Sequence, residues 1–210
     1  VSVVGCDSHG NRLSEAGPAP DKSDLLMNPG LQEVFQIRRE AILDTIGDGL
    51  LILRSDYGFD GGRHEYRAAS NFWYLTGYGQ PGGLMSLSGS SGKPYALYMR
   101  ERSIREMIYS GNLPDPAELI KTWSPDTVPD YREADRMILL AVRGGKAVYI
   151  DFRDRQLVDH VTEIIKQDEA AEGTLRDIGP SLSEMRVYKD GLEVKMLQKA
   201  VDITGKGIEE

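Results

Sequence analysis

The chain has 210 residues, 40% of them apolar and 28% charged, and a formal net charge of -8. That length fits one ordinary domain, or one domain with a fragment of another, and the composition suits a globular protein. The acidic balance argues against non-specific binding to nucleic acid or acidic membrane, and no apolar run approaches the ~20 residues needed to span a bilayer.

Residues 1–28 hold Gly, Pro, Ser, Asp and Asn with little apolar period, so a tail or linker is expected. The chain opens on valine, which points to a processed amino terminus. Its single cysteine, Cys6, excludes an intramolecular disulfide and favours a reducing compartment, so the cytoplasm is the expected address. Val3-Val4-Gly5-Cys6 resembles the end of a bacterial lipoprotein signal, which leaves an exported or lipid-anchored location open.

From Pro29 on, Leu31, Val34, Phe35, Arg38, Ile42, Leu43 and Ile46 recur at steps of three and four, the pattern of one helix face. Gly47 and Gly49 end that helix, and Leu50-Leu51-Ile52-Leu53 reads as a strand buried on both sides. A polar, glycine-containing loop is expected over 55–70. Residues 84–88 and 95–99 read as strands joined by a hairpin through Ser88-Gly89-Ser90-Ser91-Gly92-Lys93. That glycine-rich turn lacks the spacing and the Ser/Thr after lysine of a phosphate-binding loop. Short helices are expected over 103–109 and 117–123, the second with Asp115 as cap and Pro116 at its first position. Helices over 132–142 and 156–167, a strand over 147–150 and an edge strand over 175–178 complete an α/β pattern with a mixed sheet. Asp190 with Glu193 three residues on forms a capping box, followed by an apolar face of Val194, Leu197, Val201 and Ile208.

The sequence offers little chemistry of its own. His9, His64 and His160 are the three histidines, and none pairs with another at helical metal-ligand spacing. Cys6 sits in the expected tail with no recognisable base, and Gly-x-Ser-x-Gly is absent. No metal site and no catalytic residue is expected in this chain.

The most informative stretch is Asn71-Phe72-Trp73-Tyr74-Leu75-Thr76-Gly77-Tyr78. Consecutive aromatics are costly to leave in water and need a core or a partner surface. With the upstream His64-Glu65-Tyr66-Arg67, this stretch resembles the N-terminal domain of the aminopeptidase P (Xaa-Pro aminopeptidase) group of creatinase/prolidase-type M24 metallopeptidases. That domain carries Tyr-x-Tyr-Arg followed by Asp-Phe-Trp-Tyr-Leu/Phe-Thr-Gly-Phe. The run from Glu184 through Arg186, Lys189 and Glu193 to Met196 resembles the family's Glu-x-Arg-x-x-Lys-Ser-x-x-Glu-Ile-x-x-Met junction. Residues 102–111 resemble its Arg-Asp-x-x-x-Glu-x-Trp-x-Gly element, with Tyr109 in place of Trp and Ser103 in place of Asp. The resemblance covers roughly residues 31–210.

It implies a six-stranded mixed sheet flanked by helices, resembling ribonuclease H in outline, over residues 29–180. Residues 181–210 would then be the junction and the truncated first helix of a "pita-bread" catalytic domain. The role implied is that of a non-catalytic N-terminal domain that supports oligomerisation and shapes the substrate cleft. The full-length parent would release the N-terminal residue preceding proline, using two divalent metal ions, commonly Mn²⁺, held in the missing catalytic domain. Tyr66, Arg67, Phe72, Trp73, Tyr74 and Tyr109 are the residues implied in the cleft or at a subunit interface; the plainer reading makes Phe72 and Tyr74 core, Trp73 partly exposed and Tyr109 a half-buried surface residue. Expected partners are the catalytic domain of the same polypeptide, further copies in a dimer or tetramer, and proline-containing peptides, with no nucleic acid and no membrane span. The alternatives are a stand-alone inactive binding module, or the same domain of a prolidase or creatinase relative.

Overall fold

The computed structural model describes residues 29–56, 66–92, 94–104, 107–108, 113–170 and 172–209. The expected tail over 1–28 and most of the expected loop, residues 57–65, lie outside the described residues. In chain order the elements are α1 (Pro29–Ile46), β1 (Leu50–Arg54), α2 (Ser70–Thr76), β2 (Gly83–Ser88), β3 (Tyr95–Met99) and α3 (Pro116–Trp123). There follow α4 (Glu133–Arg143), β4 (Val148–Ile150), α5 (Arg155–Gln167), β5 (Leu175–Asp177), α6 (Gly179–Met185) and α7 (Gly191–Glu209).

The strands form one mixed sheet in the order β3-β2-β1-β4-β5. β1 is antiparallel to β2 and parallel to β4; β2 and β3 are antiparallel, and β4 and β5 parallel. The continuous apolar run of β1 has its cause here: the strand is central and covered on both faces. Leu51 and Leu53 face Ile42, Phe72, Leu75, Tyr78 and Leu182, beneath α1, α2 and α6. Leu50 and Ile52 face Ile138, Val142, Leu157 and Val161, beneath α4 and α5. Asp115 accepts a hydrogen bond from the Ala117 N–H and Pro116 opens α3, as the sequence indicates.

The expected α/β mixed sheet is present, with five strands among the described residues rather than six. A further segment runs alongside β3, where the Asp126 N–H bonds the Tyr95 carbonyl and the Leu97 N–H bonds that of Thr127. It makes only isolated parallel bridges, Ala96 to Thr127 and Met99 to Asp130. Pro129 sits between those bridges and brings no N–H, so a ladder cannot run through it. Of the helix expected over 103–109, Ile104, Met107 and Ile108 are helical, while Tyr109 lies outside the described residues. Two short helices, α2 and α6, have no counterpart in the sequence reading. Among the described residues no helix is long and apolar enough to cross a membrane.

Gly77 closes α2 in a left-handed conformation at φ 69°, and a Cβ there would come within 2.3 Å of the Phe35 ring. Gly77→Ala is therefore expected to cost at least ~2 kcal/mol, through backbone strain and overpacking together. Gly79→Ala, whose Cβ would meet nothing within 4 Å, is the control and should stay within ~0.5 kcal/mol of the wild type in urea unfolding.

Burial pushes the Tyr78 phenol up to about 12, against ~10 for a free tyrosine. The unfolded chain then releases this proton first, so the stabilisation is complete below pH ~10 and is lost as pH rises towards the folded value. Tyr78→Phe should flatten that alkaline decline. Because the buried hydroxyl has no hydrogen-bond partner among the described residues, the same change should leave neutral-pH stability unchanged or raise it by up to ~1 kcal/mol. Urea melts at neutral and alkaline pH measure both effects.

Candidate functional site

The site is built at the carboxyl end of β1. There the Ser55 hydroxyl accepts the Gly83 N–H at 2.9 Å, and the Ser55 carbonyl accepts the Tyr66 hydroxyl at 2.8 Å. The Ala69 N–H bonds the same carbonyl at 2.6 Å. Tyr66 is thereby tied, half-buried, to the end of the central strand, and burial pushes its phenol up to about 12. Arg67 beside it is exposed.

The aromatic motif is the short helix α2. Thr76 and Gly77 of the motif terminate it. The Thr76 hydroxyl donates to the Phe72 carbonyl at 2.8 Å and accepts the Tyr78 N–H at 3.0 Å, and the Gly77 N–H bonds the Trp73 carbonyl. The next two carbonyls at this end, which a helix cannot satisfy itself, are taken by adjacent arginines of α1. Arg38 donates to the Tyr74 carbonyl at 3.2 Å and Arg39 to that of Leu75 at 2.9 Å. Two cations at a helix carboxyl terminus also suit its dipole. Both arginines are buried at 6% exposure, and each lies over an aromatic face: Arg38 is 4.0 Å from the Tyr74 centroid and Arg39 is 4.2 Å from that of Tyr95.

Phe72 is fully buried in the core, Tyr74 is nearly so, and Trp73 is 38% exposed. The Trp73 indole meets Phe35 edge to face, with centroids 5.8 Å apart. Of the six residues singled out in the sequence, Phe72, Trp73 and Tyr74 thus share one helix, and Tyr66 anchors the approach to it. Tyr109 lies outside the described residues.

α2 also receives the far end of the chain. Arg38 donates to Asp190 Oδ2 at 2.6 Å and lies 3.3 Å from Glu193 Oε2. Asp190 Oδ1 accepts the N–H groups of Leu192 and Glu193 at 2.9 and 2.8 Å, and Glu193 accepts the Asp190 N–H at 3.1 Å. The capping box read in the sequence is therefore formed, and Arg38 docks it onto the domain. Partial burial pushes the Asp190 carboxyl up, but the N–H groups of Glu193 and Leu192 and the charge of Arg38 outweigh it and hold the carboxyl below its ordinary value. The Tyr74 hydroxyl reaches the Met185 carbonyl at 3.4 Å. Arg186, 5.8 Å from the Tyr74 centroid, donates to the Asn71 side-chain oxygen at 3.2 Å, and the Asn71 amide donates to the buried Asp151 at 2.8 Å. Arg153 is paired with the same carboxylate.

Arg38, Arg39, Asn71, Asp151 and Arg186 escaped the reading of the site. Arg38 gave a signal, since a charge at a helical core position must be answered by something. Asn71 and Asp151 are 80 residues apart and gave none. Chemically, the arrangement holds two segments together through forked, charge-assisted hydrogen bonds and cation–π contact. Among the described residues no group of three or more His, Cys, Asp or Glu side chains could hold a metal ion. Beyond its first turn α7 leaves Val194, Leu197, Val201 and Ile208 exposed.

A model of the aminopeptidase P N-terminal domain family matches residues 35–149, more than half of the chain. Xaa-Pro aminopeptidase of Escherichia coli (strain K12) is 24% identical over 187 residues, covering 82% of this chain and 42% of that protein. The chain thus spans less than half the length of this curated relative. Among solved structures, Pseudomonas aeruginosa aminopeptidase PepP superposes with a TM-score of 0.65 at 24% identity, covering 78% of this chain and 40% of that one. Proline aminopeptidase P II from Yersinia pestis does so with a TM-score of 0.66 at 23% identity, covering 82% and 43%. These likenesses show the same fold, and the family match over the residues that build β1, the aromatic helix and β4 places this chain in the aminopeptidase P N-terminal domain family.

Proposed function

We propose that this chain is the non-catalytic N-terminal domain of a Xaa-Pro aminopeptidase-like M24 metallopeptidase, where it supports oligomerisation and shapes the substrate cleft. The full-length parent would release the N-terminal residue that precedes proline in a peptide. Two divalent metal ions, commonly Mn²⁺, would supply the activated water. Their ligands are assigned to a catalytic domain of the same polypeptide.

The observation that carries this reading is the docked junction. Arg38, Tyr74 and Asn71 fix residues 185–193 against the domain, and α7 then leaves with an apolar face exposed. A helix held firmly at its start and uncovered along its length suits a connection to a further folded unit. In this reading residues 29–180 form the N-terminal domain and 181–210 open the catalytic one. Exposed Arg67 and half-exposed Trp73 face the cleft, with Tyr66 behind them, and Tyr109 reaches a neighbouring subunit. The two other readings, an inactive binding module and a prolidase or creatinase relative, are distinguished by activity.

The test compares this chain with the full-length parent, each supplied with Mn²⁺ and a peptide carrying proline at its second position. The parent should release the first residue and the 210-residue chain should not. Turnover by the chain alone, or a parent without activity on such peptides, would overturn the proposal. Light scattering on both should find the parent as a dimer or tetramer, and a monomeric parent would remove the oligomer role.

The docking itself can be measured apart from activity. Asp190→Ser keeps a capping hydroxyl and removes the charge. In a double-mutant cycle with Arg38→Gln, read by urea unfolding, the pair should couple by about 1 kcal/mol or more. Arg38→Gln alone should cost more, ~2 kcal/mol, because it also leaves the Tyr74 carbonyl without its donor.

A further inference from the structure

The carboxylate that caps α7 and docks it precedes a glycine. At an Asp-Gly step the following nitrogen is unhindered by any Cβ and can attack the aspartyl side chain. The Gly191 nitrogen bonds to Asp190 Cγ while its proton and the carboxyl hydroxyl leave as water, closing a succinimide. Water then opens the ring at either carbonyl. Opening at the side-chain carbonyl restores aspartate, and opening at the main-chain carbonyl routes the chain through the side chain as isoaspartate. No oxidant or other co-reactant is needed.

This sequence contains its own control, because two of its three Asp-Gly steps, Asp48-Gly49-Leu50 and Asp190-Gly191-Leu192, are the same tripeptide, while the third, Asp60-Gly61, lies outside the described residues. Their structural settings differ. Gly49 is buried, its N–H donates to the Ile46 carbonyl at 3.0 Å, and it leads directly into the central strand. Reaction there requires the core to open. Gly191 is exposed and is the first residue of α7, where an N–H has no intrahelical acceptor. At this step the side chain is restrained by the N–H groups of Leu192 and Glu193 on Oδ1 and by Arg38 on Oδ2, while the Asp190 N–H donates to Glu193 and its carbonyl accepts the Val194 N–H.

We propose that Asp190-Gly191 is a site of isoaspartate formation controlled by the Arg38 contact, so that undocking of the junction is recorded as a covalent change. Release of α7 frees the Asp190 side chain to turn towards the Gly191 nitrogen. The succinimide removes the carboxylate, and isoaspartate adds a methylene to the main chain at the cap, so neither product can re-form both the cap and the Arg38 bond. Local release needs far less free energy than opening of the sheet, which separates the two Asp-Gly-Leu steps in rate.

The test follows isoaspartate at both steps in the folded 210-residue chain during prolonged incubation at neutral pH, by tandem mass spectrometry of proteolytic peptides and by enzymatic isoaspartyl methylation. Isoaspartate should accumulate at Asp190 and not at Asp48 in the folded protein, and at similar rates at both in urea above the unfolding midpoint. Arg38→Gln should accelerate the reaction at Asp190 about tenfold, the effect of losing one charge-assisted bond, and leave Asp48 unchanged. Gly191→Ala, whose Cβ meets nothing within 4 Å, should suppress it. Equal rates at the two steps in the folded wild type would overturn the proposal, and that arm does not depend on any variant folding. So would an unchanged Asp190 rate in Arg38→Gln, or acceleration at both steps together.

Discussion

A guanidinium group removed from water must have its charge answered, and in this fold the answer to Arg38 comes from two segments far apart in the chain. Leaving such a group unpaired would cost several kcal/mol. The Tyr74 carbonyl and ring take one side of the fork, and Asp190 and Glu193 take the other. Tyr74 can offer its carbonyl because it ends a helix, and it ends a helix because Thr76 and Gly77 turn the chain. The aromatic motif is thus also the means by which one buried cation of α1 is shared with the start of α7. The Nε of Arg38 has no hydrogen-bond partner among the described residues, a small residual cost.

A second line of contact runs deeper. Arg186 reaches Asn71, and Asn71 reaches Asp151 just past the end of β4. An amide suits the middle of that chain because it accepts from a cation on one side and donates to a carboxylate on the other. The sheet, α2 and the junction are therefore coupled through two routes, one through Arg38 and one through Arg186 and Asn71. That coupling is what a domain would use to fix the direction in which a following segment departs.

Much of the frame could be read from residue order because its signals are local. β1 announced itself as an apolar run, α4 and α5 by helical periodicity, α3 by Asp115 and Pro116, and the junction by Asp190 and Glu193. The elements that escaped lack such signals. α2 has seven residues, five of them buried, so it shows no periodic face, and its aromatics mark a motif without marking a helix. The segment beside β3 makes only isolated bridges around Pro129, a residue whose effect depends on which neighbour it meets. Within the site, the aromatic residues were accessible only through resemblance to a family. Arg38 signalled only that some partner must exist; which residues it meets was not legible, because hydrogen bonds between positions 36 to 152 apart leave no trace in spacing.

The chain has two tryptophans, and their settings make them separate optical reporters. Trp73 stands at the surface of α2, against Phe35 and one residue from the ring that Arg38 covers, so its emission should follow whatever comes to lie on that side of the domain. Trp123 lies half-buried at the end of α3, 5.1 Å from the Tyr78 ring, where excitation of the tyrosine can pass to it and where its emission follows the core. Solvent quenchers should reach the first before the second. Changes at the junction and loosening of the interior can then be followed in one fluorescence experiment, with no added label.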